Sequence, residues 1–279
     1  MNDHTPVLLQ EVIEALNVQP GKKYIDATVG MGGHAREIVK KGGIVLGIDR
    51  DQESLDQLRV NESQFHLAHG SFRDIKEIAY SQNFVPVDGI LFDLGFSSWQ
   101  LDKAGRGFSF MKDEPLDLRF DRNTIQTTAS EILNTYSREE LTALFARYGE
   151  LNEAGKISEL VVRNRPIKKT SQLNAVIAKD LTEHMVYRLL ARIYQALRIA
   201  VNEELRHIEI GLLESIDLLC PGGRLCVISF HSLEDRIVKL AFNDSRLRGI
   251  TKKPITASKE EIHQNSRARS TKLRIAEKI

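Results

Sequence analysis

Asp26, the glycine run Gly30-Met31-Gly32-Gly33 and Asp49 are residues whose types and spacing could hold one ligand between them. Glycines between a strand and a helix let the backbone approach a ligand closely, and the N–H groups that open the helix favour polar or anionic groups. An acid at the end of the next strand, here Asp49 at 23 residues beyond Asp26, can accept hydrogen bonds from both hydroxyls of a ribose. Together these residues point to an adenosine-type ligand, although Gly-Gly alone is also a generic turn. No third glycine completes the G-x-G-x-x-G spacing that seats a pyrophosphate, and an acid before the loop would repel one. The same acid suits the ammonium of a methionine moiety. The residues therefore favour S-adenosylmethionine over a nicotinamide dinucleotide, and methyl transfer over hydride transfer.

Elements able to position these residues can be read around them. Lys23–Thr28 reads as a short buried strand, Val29–His34 as the loop and Ala35–Lys40 as a helix; Gly43–Ile48 is a second strand ending at Asp49, and Gln52–Val60 carries Leu55 and Leu58 at helical spacing. Val87–Asp93 and Gly223–Ser229 are two further apolar runs that deliver polar residues at their C-terminal ends. The class expected is α/β, a parallel, doubly wound Rossmann-like sheet. Between Leu101 and about Tyr194 that rhythm gives way to helical stretches at Ser130–Leu133, Glu139–Tyr148 and Ser171–Leu181. It resumes with a long amphipathic helix over Ala196–Leu219, stopped by Pro221-Gly222-Gly223. The expected organisation is a discontinuous main domain, 1–103 with 195–279, and an inserted helical subdomain, 104–194.

Composition bounds the partners. The 279 residues are 42% hydrophobic and 28% charged, ordinary for a globular protein, and the apolar runs fall short of a membrane span. The first residues lack the basic and apolar regions of a secretory signal, so a cytoplasmic location is expected. Cys220 and Cys226 suit neither a zinc knuckle nor a redox pair and read as small core residues, with no metal site inferred. From Arg236 onward twelve Lys or Arg face four Asp or Glu, an excess of eight that could form a footprint for a polyanion such as RNA or be a merely solvated tail. Arg246–Arg269 is polar enough to expect local disorder.

Longer blocks carry a specific resemblance. Leu91–Asp102, with Asp93-Leu94-Gly95-Phe96-Ser97-Ser98-Trp99-Gln100-Leu101-Asp102 at its heart, is similar to the Asp-Leu-Gly-x-Ser-Ser-x-Gln-Leu-Asp stretch of the bacterial small-subunit ribosomal RNA cytosine-N4-methyltransferase family. The likeness extends to His4–Leu9, Gly32–His34, Arg106–Phe110, Pro115–Asp117, Gln195–Asn202, Ser229–Lys239 and Arg267–Arg274, and departs from the family pattern at Tyr187–Tyr194, Trp99 and Glu114. It implies a class I methyltransferase sheet with a helical insertion, S-adenosylmethionine as cofactor, and a cytidine in the decoding region of 16S ribosomal RNA as substrate. RNA within the small ribosomal subunit is the partner implied, and a homodimer is compatible with the family. Carried over by position, Gly32, Gly33, His34, Asp49, Phe72, Asp93 and Gln100 would contact the cofactor.

Chemistry assigns further expectations. The exocyclic amine of cytosine is a poor nucleophile, and Asp93 or the carbonyl of Leu94 could accept one of its hydrogens as the new bond forms. Phe96 or Trp99 could stack on a flipped-out cytosine, or either could cap the core. His231, at a strand's C-terminal end beside Ser229 and Ser232, could contact the base or a phosphate as a second catalytic group. Arg106, Arg198, Arg236 and Lys239 could hold phosphates, or could pair with Asp102, Asp117 and Glu234. A nicotinamide-dependent oxidoreductase and a non-catalytic RNA-binding assembly factor are the competing readings.

Overall fold

In the computed structural model, residues 6–61, 64–95, 105–179 and 182–279 are described. Contacts divide the chain into Met1–Gly95 with Leu205–Ile279 as one unit and Phe96–Glu204 as the other. The sequence places these cuts at 103/104 and 194/195.

The first unit is built on a sheet of β1 (Lys23–Asp26), β2 (Ile44–Asp49), β3 (His66–His69), β4 (Val87–Asp93), β5 (Leu219–Ser229), β6 (Leu247–Gly249) and β7 (Lys272–Lys278), in the order β3-β2-β1-β4-β5-β7-β6. Neighbours from β3 to β5 run parallel, so their C-terminal ends share one edge, and that edge collects Asp26, Asp49 and Asp93. Strands buried on both faces explain the near-continuous apolar runs. Ile25, Leu46, Ile90, Phe92, Leu225 and Val227 pack with α4 (Ile75–Ser81), α10 (Glu204–Leu218) and α11 (Ser232–Ala241). Their neighbours Tyr24, Val45, Leu91, Cys226 and Ile228 pack with α1 (Leu9–Leu16), α2 (Gly33–Lys40) and α3 (Gln52–Asn61). Cys226 is thus a core residue; Cys220 is half-buried, its thiol 3.6 Å from Asp88.

Two expectations need correction here. The sheet is not wholly parallel, because β7 runs antiparallel to both β5 and β6. Nor is Arg246–Arg269 without structure: it holds β6 and α12 (Lys259–Gln264), and Ile255 exchanges two backbone hydrogen bonds with Leu273. Ile255, Ala257, Ile262 and Ala268 join the core, which is enough anchorage for a polar stretch to fold.

The second unit contains α5 (Ala129–Thr135), α6 (Arg138–Gly149), α7 (Ala154–Arg163), α8 (Thr170–Ile177) and α9 (Glu183–Asn202). Its core gathers Leu133, Leu141, Phe145, Ile157, Val161, Leu173, Ile193 and Leu197. Thr128 with Glu131, and Ser137 with Glu140, form reciprocal caps that fix where α5 and α6 begin. The single helix expected over Ala196–Leu219 is two, since Glu203 takes a left-handed φ of 49° between α9 and α10. Asn202 helps end α9: its side chain accepts from the Phe120 N–H at 2.9 Å and donates to the Leu118 carbonyl at 2.8 Å. Among the described residues no helix is long and apolar enough to cross a membrane.

Candidate active site

The glycine loop is shaped by Asp49. Its two carboxylate oxygens accept the Gly30 N–H at 2.7 Å and the Asp51 N–H at 2.9 Å, tying the loop after β1 to the end of β2. Each oxygen keeps a second lone pair, which is what two ribose hydroxyls require. Gly32 turns the chain with φ 77°, where a Cβ would also stand 2.9 Å from Leu58. Gly33 opens α2 beneath Pro6, whose ring would meet an added Cβ at 3.0 Å. Gly32 is therefore favoured by backbone shape and Gly33 by the close approach of Pro6.

Acid accumulates at this edge. Thr28 ties two of these aspartates together: its N–H donates to the Asp26 carboxylate at 3.2 Å and its hydroxyl accepts the Asp93 backbone N–H at 2.7 Å. Burial pushes Asp26 up to about 7, with the charge of Asp49 adding to the effect. Burial likewise raises Asp49 to about 6, against its backbone hydrogen bonds. Asp93 is pushed furthest, to about 8, by its dry surroundings and then by Asp26 and Glu234. Among the described residues none of these three acids forms an ion pair with a lysine or arginine, and Asp93 Oδ1 is buried with no hydrogen-bond partner. Carboxylates held up in this way mark a place that a positively charged or hydrogen-donating ligand would complete.

The other expected cofactor residues lie around the same edge. Phe72 is half-buried in a turn after β3, its ring edge-on to Phe92 with centroids 5.5 Å apart. His34 is buried; its Nε2 is 3.0 Å from the Val7 carbonyl and its Nδ1 is 3.7 Å from Asp93 Oδ2. Phe96, Trp99 and Gln100, expected to touch substrate or cofactor, lie outside the described residues, as does Asp102.

Several substrate expectations are corrected by burial. Arg106 is 2% exposed and its Nη1 donates to the Phe120 carbonyl at 3.0 Å, so it braces a loop and does not face phosphate. Arg198 is buried against Glu204 at 2.8 Å, a structural pair. Asp117 is taken by Arg119 at 2.7 Å and Arg122 at 3.2 Å. Ser229 is buried in β5, its hydroxyl turned toward the Lys272 carbonyl, which removes it as a substrate contact. His231 caps α11: its Nδ1 accepts the Glu234 N–H at 3.3 Å while its Nε2 lies 3.2 Å from the Glu234 carboxylate. The ring thus serves as an N-cap through Nδ1, while its buried Nε2 makes no hydrogen bond. Ser232, Arg236 and Lys239 are exposed on α11.

Sequence reasoning missed Thr28, Glu234 as a buried acid, and Val7. A threonine two residues after Asp26 was a visible signal; the reach of Val7 to His34 was not, because 27 residues separate them.

Comparison with known proteins follows the same direction. The MraW methylase family matches residues 1–279. The Ribosomal RNA small subunit methyltransferase H of Halothermothrix orenii is 41% identical, over 100% of this chain and 99% of the relative. Its namesakes from Thermomicrobium roseum and a Cyanothece species are 44% and 46% identical, over 99% of this chain and 94% and 95% of theirs.

Proposed function

The chain belongs to the MraW methylase family, and on that premise we infer that it is an S-adenosylmethionine-dependent methyltransferase of small-subunit ribosomal RNA, acting on the exocyclic N4 amine of a cytidine in the decoding region of 16S RNA. The observation that carries the cofactor is the set of acids Asp26, Asp49 and Asp93 at one sheet edge, raised by burial and without lysine or arginine ion pairs among the described residues. S-adenosylmethionine fits them on both counts, since it is cationic at one end and carries ribose hydroxyls at the other. Asp49 would take the hydroxyls, Asp26 the ammonium, and Gly32–His34 with Phe72 the remaining contacts. When bound, the cofactor supplies a methyl group on a sulfonium, which is electrophilic enough to need no metal.

Asp93 is the proposed catalytic residue. The cytosine amine shares its lone pair with the ring, so it reacts only if a neighbouring acceptor draws on one N–H and favours tetrahedral nitrogen. An ionised Asp93 at the end of β4 can do this, and as the N–C bond forms it takes the proton that the nitrogen must lose. A carboxyl raised toward the working pH range is a better base than an ordinary aspartate. Holding the amine in line with the methyl group at about 3–3.5 Å would contribute a further roughly 7–11 kcal/mol. Phe96 or Trp99 would form the stacking wall for the base, while Ser232, Arg236 and Lys239 would contact phosphates.

The test is incubation of the full chain with methyl-labelled cofactor and either free 16S RNA or immature small subunits, followed by nucleoside analysis. N4-methylcytidine is expected, with the assembled subunit as the better substrate. Its absence from both refutes the substrate reading, and calorimetric binding of NADH in preference to S-adenosylhomocysteine would refute the cofactor.

A further inference from the structure

We infer that His34 is the positioning residue for Asp93: the Val7 carbonyl fixes the imidazole as its Nε2–H tautomer, and the lone pair left on Nδ1 holds the Asp93 carboxyl as a hydrogen-bond acceptor. The inference rests on the catalytic reading of Asp93 given above.

The geometry leaves the ring little choice. A carbonyl oxygen can only accept, and Val7 O stands 3.0 Å from Nε2, so Nε2 carries the hydrogen. The ring is 4% exposed, and burial lowers its pKa to about 4, so it is neutral at neutral pH and Nδ1 is a bare lone pair. That lone pair lies 3.7 Å from Asp93 Oδ2. The contact is therefore no ion pair: a lone pair repels a carboxylate and attracts a carboxylic acid. Asp26 on the loop side of β1 and Glu234 on α11 are also acids and push Asp93 the same way. At 3.7 Å the bond is not yet made, as is common for catalytic hydrogen bonds before substrate arrives.

Val7 is itself held. The adjacent Leu8 N–H donates to Glu261 on α12 at 2.7 Å, and Pro6 lies over Gly33. The N-terminal segment and α12 thus set a tautomer one ring away from the reacting edge. In the cycle, the N4–C bond would form as the donor's S–C bond breaks; the proton that Asp93 takes from N4 becomes an O–H that donates to Nδ1, and it leaves to water when Asp93 ionises again, while His34 itself neither gains nor loses a bond.

Two measurements on the full chain test this. In ¹⁵N-histidine NMR between pH 5 and 9, His34 should show a protonated Nε2 and an unprotonated Nδ1 with no titration; an Nδ1–H tautomer, or titration near the ordinary value of about 6.5, overturns the inference. In single-turnover methylation of small subunits, H34Q keeps a donor for Val7 but loses the acceptor for Asp93, so the acidic limb of the rate profile should move down by about one pH unit. H34N, whose amide oxygen can stand in for Nδ1, should leave the limb in place. A purely structural His34 would lower the H34Q rate at every pH with an unshifted limb, which also overturns it. If wild type methylates nothing, the substrate reading fails, and the NMR tautomer still decides this inference by itself.

Discussion

Binding of the cofactor should expel on the order of one proton at neutral pH, and the number can be worked from the acids at the sheet edge. With Asp93 near 8, Asp26 near 7 and Asp49 near 6, roughly nine-tenths, half and one-tenth of each would be protonated at pH 7. A cation seated among them favours the ionised forms, so those protons must leave. The release follows from isothermal titration calorimetry in several buffers, as the slope of observed enthalpy against buffer ionisation enthalpy. The slope should be about 1.5 at pH 7, the sum of those fractions, and near zero at pH 9.5, where all three acids are already ionised. Between about pH 6 and 8 affinity should rise with pH, by roughly thirtyfold per unit near pH 7. S-adenosylhomocysteine, which lacks the positive sulfur, should release fewer protons, and Asp93→Asn should lower the slope to about half of the wild-type value. A slope of zero at pH 7, or one unchanged at pH 9.5, would refute the reasoning that these acids are held protonated for a cationic ligand.

Three further outcomes follow from individual contacts. Asp93 has a folded-state pKa above its unfolded value, so its contribution to stability is full below about pH 4 and is lost as pH rises through about 8; Asp93→Asn should therefore stabilise the unliganded protein at pH 8, by roughly 1–3 kcal/mol after allowing for its partial exposure, as read by urea denaturation. Gly32→Ala combines a left-handed φ of 77° with a 2.9 Å approach to Leu58, so it should cost about 1–3 kcal/mol in melting experiments and weaken cofactor binding. Arg198→Ala strips the partner from buried Glu204 and should cost about 3–5 kcal/mol of stability, whereas Lys239→Ala, at an exposed position of α11, should leave the melting temperature alone and reduce the salt slope of RNA binding by about one.

The sheet edge was legible because parallel strands announce themselves as apolar runs ending in acid: Asp26, Asp49 and Asp93 all lie at or beside the expected strand ends. What sequence patterning could not supply was the environment of each polar side chain. Arg198 and Arg236 are the same residue type on amphipathic helices, yet one is buried against Glu204 and the other is exposed. His231 looked catalytic from its position after β5, but a histidine at the first position before a helix can cap it, and Glu234 three residues on completes that cap. The break at Glu203 was hidden because a non-glycine residue makes the left-handed turn. β7 was hidden for another reason: Lys272–Ile275 alternates charged and apolar residues, the pattern of a strand paired antiparallel near a sheet edge, inside a tail whose charge invites a reading as solvated.

That tail shows how charge becomes structure. Its excess of eight basic residues is a count along the chain, and folding pairs part of its basic charge with acids both upstream and within the tail. Lys272 and Arg274 converge on Asp235 at 3.1 and 2.7 Å, Arg246 spans Asp217 and Asp244 at 2.6 and 2.8 Å, and Arg248 pairs with Glu277. Asp235 is held below the usual carboxylate range by those two cations, despite its partial burial. Cations engaged in this way fasten β7 and β6 to the sheet and offer less to a phosphate. Lys239, Lys252, Lys253 and Lys259 are exposed, so RNA attraction by this unit should rest on fewer charges than the twelve in the tail, with a correspondingly shallow dependence on salt.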